Sequence, residues 1–179
     1  MQGVMSNPDP LARITWLHHF TDTRNIPSIR KMGGLYSRHH LRRAGVENFY
    51  TGGNQWSLDA DELVGMDKYV RLCLRTNHAM EHIAKQDGRI ERTVWLYIDA
   101  ASVFKTEGVL YSYGVSNKSG MKICPIQEAA GDIDFQVLYT RTDWHDPEIN
   151  ARLSQAELCE ILVPKHVPLK YFERYFPNG

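Results

Sequence analysis

The chain lacks net charge. Its 21 Lys and Arg residues balance 21 Asp and Glu residues among 179, so no bulk field draws it to nucleic acid or an acidic membrane, and any such contact must come from a local patch. Cysteine is scarce. Cys73, Cys124 and Cys159 lie far apart with no Cys-x-x-Cys pair, which argues against a disulfide framework or a zinc ribbon and fits the reduced thiols of a cytoplasmic protein. No Gly-x-Gly-x-x-Gly stands between a strand and a helix, so a Rossmann domain is not expected. His78 and His82 are four apart, but with Glu81 directly before the second histidine and no third ligand indicated they do not make a metal site. No apolar run is long enough to span a bilayer, and Met1–Pro10 does not read as a signal peptide. The remainder is an ordinary globular composition, with a length best read as one domain over 1–179.

One acidic residue is out of place. From Leu158 to Val163 the chain reads as a buried strand closed by Pro164, and Glu160 sits inside it. An ionised carboxylate is costly to bury unless something pairs with it. Either Glu160 has a buried partner or the strand lines a cleft that Glu160 faces. Glu157 is the competing carboxylate. Three residues away, it faces the opposite side of a strand or ends the preceding helix.

The rest of the pattern is α+β. Residues 1–12 read as a loose polar lead. Ile14–Thr21 has strand composition, and a helix over Arg24–Met32 ends at Gly33-Gly34, followed by an extended piece from Leu35. Residues 38–66 carry loop-forming Gly45, Gly52 and Gly53, with a short helical turn at Ser57–Leu63. A connection that long is usually functional or mobile. Tyr69–Arg75 alternates cleanly, with Arg71 on the face away from Val70 and Leu72. A short helix is expected over His78–Lys85. Strands are expected at Thr93–Ile98, Val109–Tyr113 and Ile133–Tyr139, a helix from Asp146-Pro147-Glu148 to about Gln155, and a short helix over Leu169–Phe176.

Several constellations carry chemistry, each against a plainer alternative. His19 and Thr21 are two apart on a strand, so both point to one side, where they hydrogen-bond a ligand or simply satisfy the core. Arg71 offers a planar fork to a carboxylate or phosphate, or makes an ordinary ion pair. A basic run, Arg24, Arg30, Lys31, Arg38, Arg42 and Arg43 with His39 and His40, has only Asp22 and Glu47 near it in sequence. Such a run tracks a phosphate backbone, with Tyr50 and Trp56 to stack bases, or is a solvated helix face. Asn117-Lys118-Ser119 and Trp144 are weaker candidates in loops.

Taken together and in order, these segments resemble the DarT family of DNA ADP-ribosyltransferase toxins. The resemblance rests on His19-Phe20-Thr21, Asn25–Ile29, Gly33-Gly34-Leu35-Tyr36-Ser37-Arg38, Tyr69–Leu72, His78-Ala79-Met80 and Glu160–Pro164. It runs from about Ile14 to Phe172, with Ala79 where the family has proline. It implies the ADP-ribosyltransferase fold, a split and mostly antiparallel sheet with short flanking helices and NAD in the cleft between its halves. It implies transfer of ADP-ribose from NAD, the co-substrate, to a nucleobase of single-stranded DNA, and a macrodomain antitoxin (DarG-like) as partner. Carried over residue by residue, Glu160 is the catalytic carboxylate, with Arg71 orienting NAD and the transition state. His19, Phe20, Thr21, Gly34 and Tyr36 complete the NAD site, with Tyr36 placed to stack on nicotinamide. Arg38, His39, Arg42, Arg43, Tyr50 and Lys118 face the nucleic acid. A related transferase acting on RNA (RNA 2′-phosphotransferase-like) or on protein, and a non-catalytic nucleic-acid-binding module, are the alternatives. Retained Glu160 argues against the last.

Overall fold

A computed structural model of the chain describes residues 9–46 and 48–173. Eight strands and eight α-helices follow in order: β1 Trp16–Asp22, α1 Ile26–Met32, β2 Gly34–Tyr36, α2 Arg38–Arg43, α3 Gln55–Leu63, β3 Tyr69–Cys73, α4 Ala79–Gln86, β4 Thr93–Asp99, α5 Ala100–Phe104, β5 Leu110–Ser112, β6 Ile123–Pro125, α6 Ile126–Ala129, α7 Phe135–Tyr139, α8 Pro147–Glu157, β7 Glu160–Pro164 and β8 His166–Pro168. Six strands form one sheet in the order β4-β1-β3-β7-β5-β6, and β2 pairs with β8 in a second, two-stranded sheet. Every pairing between these strands is antiparallel. This is the α+β, split-sheet architecture expected from the sequence.

The main sheet owes its rigidity to its central strands. Leu72 of β3 and Ile161, Leu162 and Val163 of β7 have no exposed surface. Four consecutive buried residues in β7 mean that both faces of that strand are covered, which is why its sequence is a continuous apolar run rather than an alternation. β1 and β3 share a single backbone pair, His18 with Cys73. Beyond it, His19 Nδ1 lies 2.9 Å from the Arg71 carbonyl oxygen, a side-chain rung next to the end of the backbone ladder.

Two glycines set the geometry between α1 and β2. Gly33 takes the left-handed conformation that ends the helix (φ 78°). Gly34 (φ 153°) has no room for a side chain, because a Cβ there would lie 2.2 Å from the Val167 carbonyl oxygen across the small sheet.

Four expectations need correction. Ile133–Tyr139 is not a strand. Asp134 accepts a hydrogen bond from the Val137 amide and starts α7, whose Phe135, Val137 and Leu138 are all buried. Ile133-Asp134-Phe135-Gln136-Val137 alternates as a strand would, but five residues are too few for period to decide, and the Asp134 cap starts a helix instead. The Glu160 strand begins later than its composition implies. α8 runs through Glu157, Leu158 caps it, and Glu160 is the first strand residue rather than a mid-strand one. Residues 10–12 are not loose. Pro10–Arg13 is a 3-10 helix capped by Asp9, and Leu11 is in the core. The closing helix is a single 3-10 turn, Leu169–Tyr171; Phe172 instead bridges to Ile98, and residues 174–176 of that expectation, like residues 1–8, lie outside the described residues.

Candidate active site

Glu160 meets both conditions posed by the sequence: it has a partner and it lines a cleft. The β3–β7 register sets Glu160 opposite Cys73, and Arg71, two residues earlier, projects to the same face. The carboxylate is 5% exposed. Its Oε2 accepts a hydrogen bond from the Ser116 amide at 2.8 Å and lies 3.6 Å from Arg71 Nε. One opposite charge and one amide donor answer the cost of burying the ion. The cleft above it has a volume of about 250 Å³ and is walled by β1, β3 and β7 on one side and by residues 48–66 on the other.

The residues that hold Arg71 come from the least legible part of the sequence. Asp61 of α3 is buried and grips the Arg71 guanidinium through both terminal nitrogens, Nη1 at 2.9 Å and Nη2 in a shorter contact. Arg71 Nε donates to Ser116 Oγ at 3.0 Å. Asn117 then ties the same carboxylate to the loop after β5, donating to Asp61 Oδ1 at 2.8 Å and to Ser57 Oγ at 3.0 Å. Burial alone pulls the guanidinium down, but the Asp61 hydrogen bonds and the charge of Glu160 leave its pKa raised above the ordinary arginine value. Arg71 is therefore a fixed positive charge, with one edge on Asp61 and the other beside Glu160.

β1 supplies the adjoining wall. His19, Phe20 and Thr21 all line the cleft. Burial lowers the His19 pKa, against the bond to the Arg71 carbonyl. A neutral ring facing a carbonyl oxygen must place its proton on Nδ1, which leaves the Nε2 lone pair as an acceptor. Thr21 Oγ1 accepts from Asn25 Nδ2 at 2.9 Å. Asn25 also clamps the facing loop, donating to the Tyr50 carbonyl at 2.7 Å and accepting from the Tyr50 amide at 2.9 Å. Gly34 and Tyr36 line the cleft from β2. The Tyr36 ring stacks on His166, with centroids 5.0 Å apart and planes within 16°.

A buried carboxylate beside a fixed guanidinium, on a sheet split by a cleft, is an arrangement for stabilising positive charge that develops on a bound substrate. Residues 18–176 match the family model described as DarT, the single-stranded-DNA thymidine ADP-ribosyltransferase. This chain belongs to the DarT family. No curated relative matches it. The fold is that of solved DarT structures. Thermus sp. 2.9 DarT in complex with ADP-ribosylated single-stranded DNA has a TM-score of 0.68 at 17% identity, over 90% of this chain and 80% of that one. Thermus sp. 2.9 DarT in complex with NAD+ has a TM-score of 0.63 at 19% identity, over 89% and 80%. Thermosipho africanus DarTG in complex with ADP-ribose has a TM-score of 0.61 at 15% identity, over 89% of this chain and 43% of that one.

For a DarT family member the nucleic-acid residues named from sequence divide into two groups. Arg38 and Tyr50 line the cleft, whereas His39, Arg42, Arg43 and Lys118 do not. The basic run is also not the uncompensated patch its sequence neighbours imply. Arg38 and Arg42 share Glu62, His39 lies 3.5 Å from Asp67, and Arg24 pairs with Asp22 and Glu91. All but Asp22 are distant in sequence, so only folding brings these acids in. The Arg24 guanidinium also lies 3.6 Å from the centre of the Tyr50 ring. Trp56 is 86% exposed at the start of α3. The decoy Glu157 is taken by Arg75 at 3.2 Å and Asn77 at 2.9 Å.

Sequence reasoning missed Asp61, Ser116 and Asn25 as parts of the site. Asn117 was named only as a loop candidate, and His78 only as a metal ligand and as part of the segment His78-Ala79-Met80 behind the family resemblance. The signal for Asp61 was faint. It is an acid in a helix whose sequence shows no apolar stripe to say which face is inward. The three cysteines are free. Burial raises the Cys73 thiol well above the ordinary value and raises that of Cys159, so neither is an activated nucleophile.

Proposed function

We propose that this protein transfers ADP-ribose from NAD to thymidine in single-stranded DNA and releases nicotinamide, as the toxin of a toxin–antitoxin pair. The observation that carries the reading is the buried Glu160 carboxylate, held by the Ser116 amide and by Arg71 at the floor of the cleft, in a chain matched to the DarT family over residues 18–176.

In this reaction the bond between the ribose anomeric carbon and the nicotinamide nitrogen breaks, and its electron pair leaves with nicotinamide. The ribose becomes oxocarbenium-like. Glu160 stabilises the developing positive charge and takes up the proton lost by the attacking base. Thymidine carries a single ring N–H, so that nitrogen, once deprotonated, forms the new bond. Arg71, fixed by Asp61, sets the Glu160 carboxylate and faces the anionic portion of NAD. His19 offers Nε2 to a ribose hydroxyl, and Thr21, Gly34 and Tyr36 shape the nicotinamide end. A positively charged nicotinamide ring suits the Tyr36 face. Arg38 and Tyr50 stand where DNA enters, and Arg42, Arg43, His39 and Lys118 contribute at a distance.

The partner follows from the same reading. Solved DarTG from Thermosipho africanus binds ADP-ribose, and a DarG-like macrodomain that removes the modification is the antitoxin proposed here. No helix among the described residues is long and apolar enough to cross a membrane, and free thiols suit a cytoplasmic site of action.

Incubation of the protein with NAD and oligonucleotides that contain or lack thymidine, read by mass spectrometry, tests this reading. An ADP-ribose adduct only on thymidine-containing DNA, absent with Glu160→Gln, is the expected result. Nicotinamide release without any DNA adduct, or an adduct confined to RNA or protein, sinks it.

A further inference from the structure

Two histidines line the cleft, and only one has both ring nitrogens explained by the arrangement above. His78 is 4% exposed and precedes α4 as its N-cap. Its Nδ1 accepts a hydrogen bond from the Met80 amide at 3.2 Å. An imidazole nitrogen that accepts carries a lone pair, so the proton of the neutral ring sits on Nε2. Burial lowers the His78 pKa and keeps the ring neutral, with the charge of Glu160 opposing and that of Arg71 reinforcing. Nε2 is buried and has no hydrogen-bond partner among the described residues. The ring lies 6.1 Å from that of Phe20, nearly parallel to it, on the cleft wall. A native protein seldom leaves such a donor unmatched, because burying it unpaired costs its desolvation without return. The tautomer is moreover opposite to that of His19, which offers an acceptor. The cleft thus presents one fixed acceptor and one fixed donor on its two histidines.

We propose that His78 is a substrate-binding residue whose Nε2–H donates to a carbonyl oxygen, either of the target thymine or of the nicotinamide carboxamide. The assignment rests on the transferase reading above. A hydroxyl or phosphate ligand is a poorer match. The site is a single neutral donor beside an aromatic face, which suits the edge of a flat, carbonyl-bearing ring.

Asparagine separates the two jobs of His78. Its Oδ1 replaces Nδ1 as a cap for the Met80 amide, but its side chain does not reach the position of Nε2. His78→Ser is a second variant that caps and lacks the donor. Both are measured for thermal unfolding, for ADP-ribose transfer to a thymidine-containing oligonucleotide, and for NAD hydrolysis without DNA. Transfer efficiency is expected to fall about tenfold in both, measured at a temperature where each variant is fully folded. If NAD hydrolysis stays at the wild-type rate, the oxygen belongs to thymine. If hydrolysis falls in parallel, it belongs to nicotinamide. Transfer and hydrolysis both within twofold of wild type overturn the proposal, as does a fall in transfer accounted for by unfolded protein. A wild-type protein that gives no DNA adduct at all refutes the transferase reading instead, so the two failures are told apart.

Discussion

The two walls of the cleft are built by different means. The sheet wall, β1, β3 and β7, places Glu160, Arg71 and His19 by register. Once Cys73 pairs with Glu160, the face and spacing of every neighbour follow. The opposing wall, residues 48–66, has no strand of its own. It is held by side chains that reach across: Asn25 on Tyr50, Arg71 on Asp61, Asn117 on Ser57 and Asp61. The backbone ladder thus fixes Glu160, Arg71 and His19, and side-chain bonds hold the facing wall. Asp61 joins the two, since it orders the helix and the Arg71 guanidinium with the same two oxygens.

That contrast can be broken most severely at Glu160. Glu160→Gln keeps the shape of the sheet wall and removes its charge, and transfer is expected to fall about 100-fold or more with secondary structure intact. Single-turnover adduct formation measures it, and retention of more than a tenth of the wild-type rate would show that the sheet wall merely supports the site.

Acid acts on the same wall through a residue outside the chemistry. His18, paired with Cys73 and edge-on to Tyr97, is pushed down to about 4 by burial from an ordinary 6.5. Its folded pKa is depressed, so its neutral form favours the native state fully above pH 6.5. That contribution is lost as pH falls through 6.5 towards 4, on the order of 3 kcal/mol in all. Asp22, held below the usual carboxylate range by Arg24, adds to the acid loss at lower pH. Denaturant unfolding at several pH values should show this slope, and His18→Phe should make it shallower between pH 6.5 and 4, with buried His19 and His78 supplying the remainder. An unchanged slope in that variant would assign the acid sensitivity elsewhere.

A smaller effect is expected at the joint. Asp61→Asn keeps one hydrogen bond to Arg71 but not the charge, and the transfer rate should fall about tenfold with the KM for NAD little altered. Faster transfer would mean that Asp61 restrains Arg71 rather than aiming it, reversing the roles of the walls. The least effect is expected at Arg42, whose charge Glu62 already meets at the surface. Arg42→Ala should change DNA affinity less than threefold. A tenfold loss, steepening at low salt in fluorescence titrations, would restore the basic run as the main DNA track.

The legibility of the chain divides along the same line. Strands β1, β3 and β4 announce themselves by composition and alternation, and Glu160 is conspicuous because a charge in an apolar run violates the pattern. α7 is the clearest failure: Ile133–Val137 alternates apolar and polar residues as a half-buried strand would, yet the Asp134 side chain on the Val137 amide starts a helix there. The basic run misled for a related reason. Charge along a sequence is counted against near neighbours, whereas Glu62, Asp67 and Glu91 arrive from 20 or more residues away.

By itself the sequence determined the α+β class, the family, and Glu160 as a carboxylate out of place among apolar strand residues, because each depends on local pattern or on a residue type whose burial needs a reason. Tertiary structure alone decided what those groups meet: Asp61 and Ser116 on Arg71, the Ser116 amide on Glu160, Asn25 across to Tyr50, and opposite proton positions on His19 and His78. Hydrogen bonds between residues tens of positions apart have no periodicity to betray them. A histidine's tautomer is set by the partner it finds, and that partner exists only once the chain has folded.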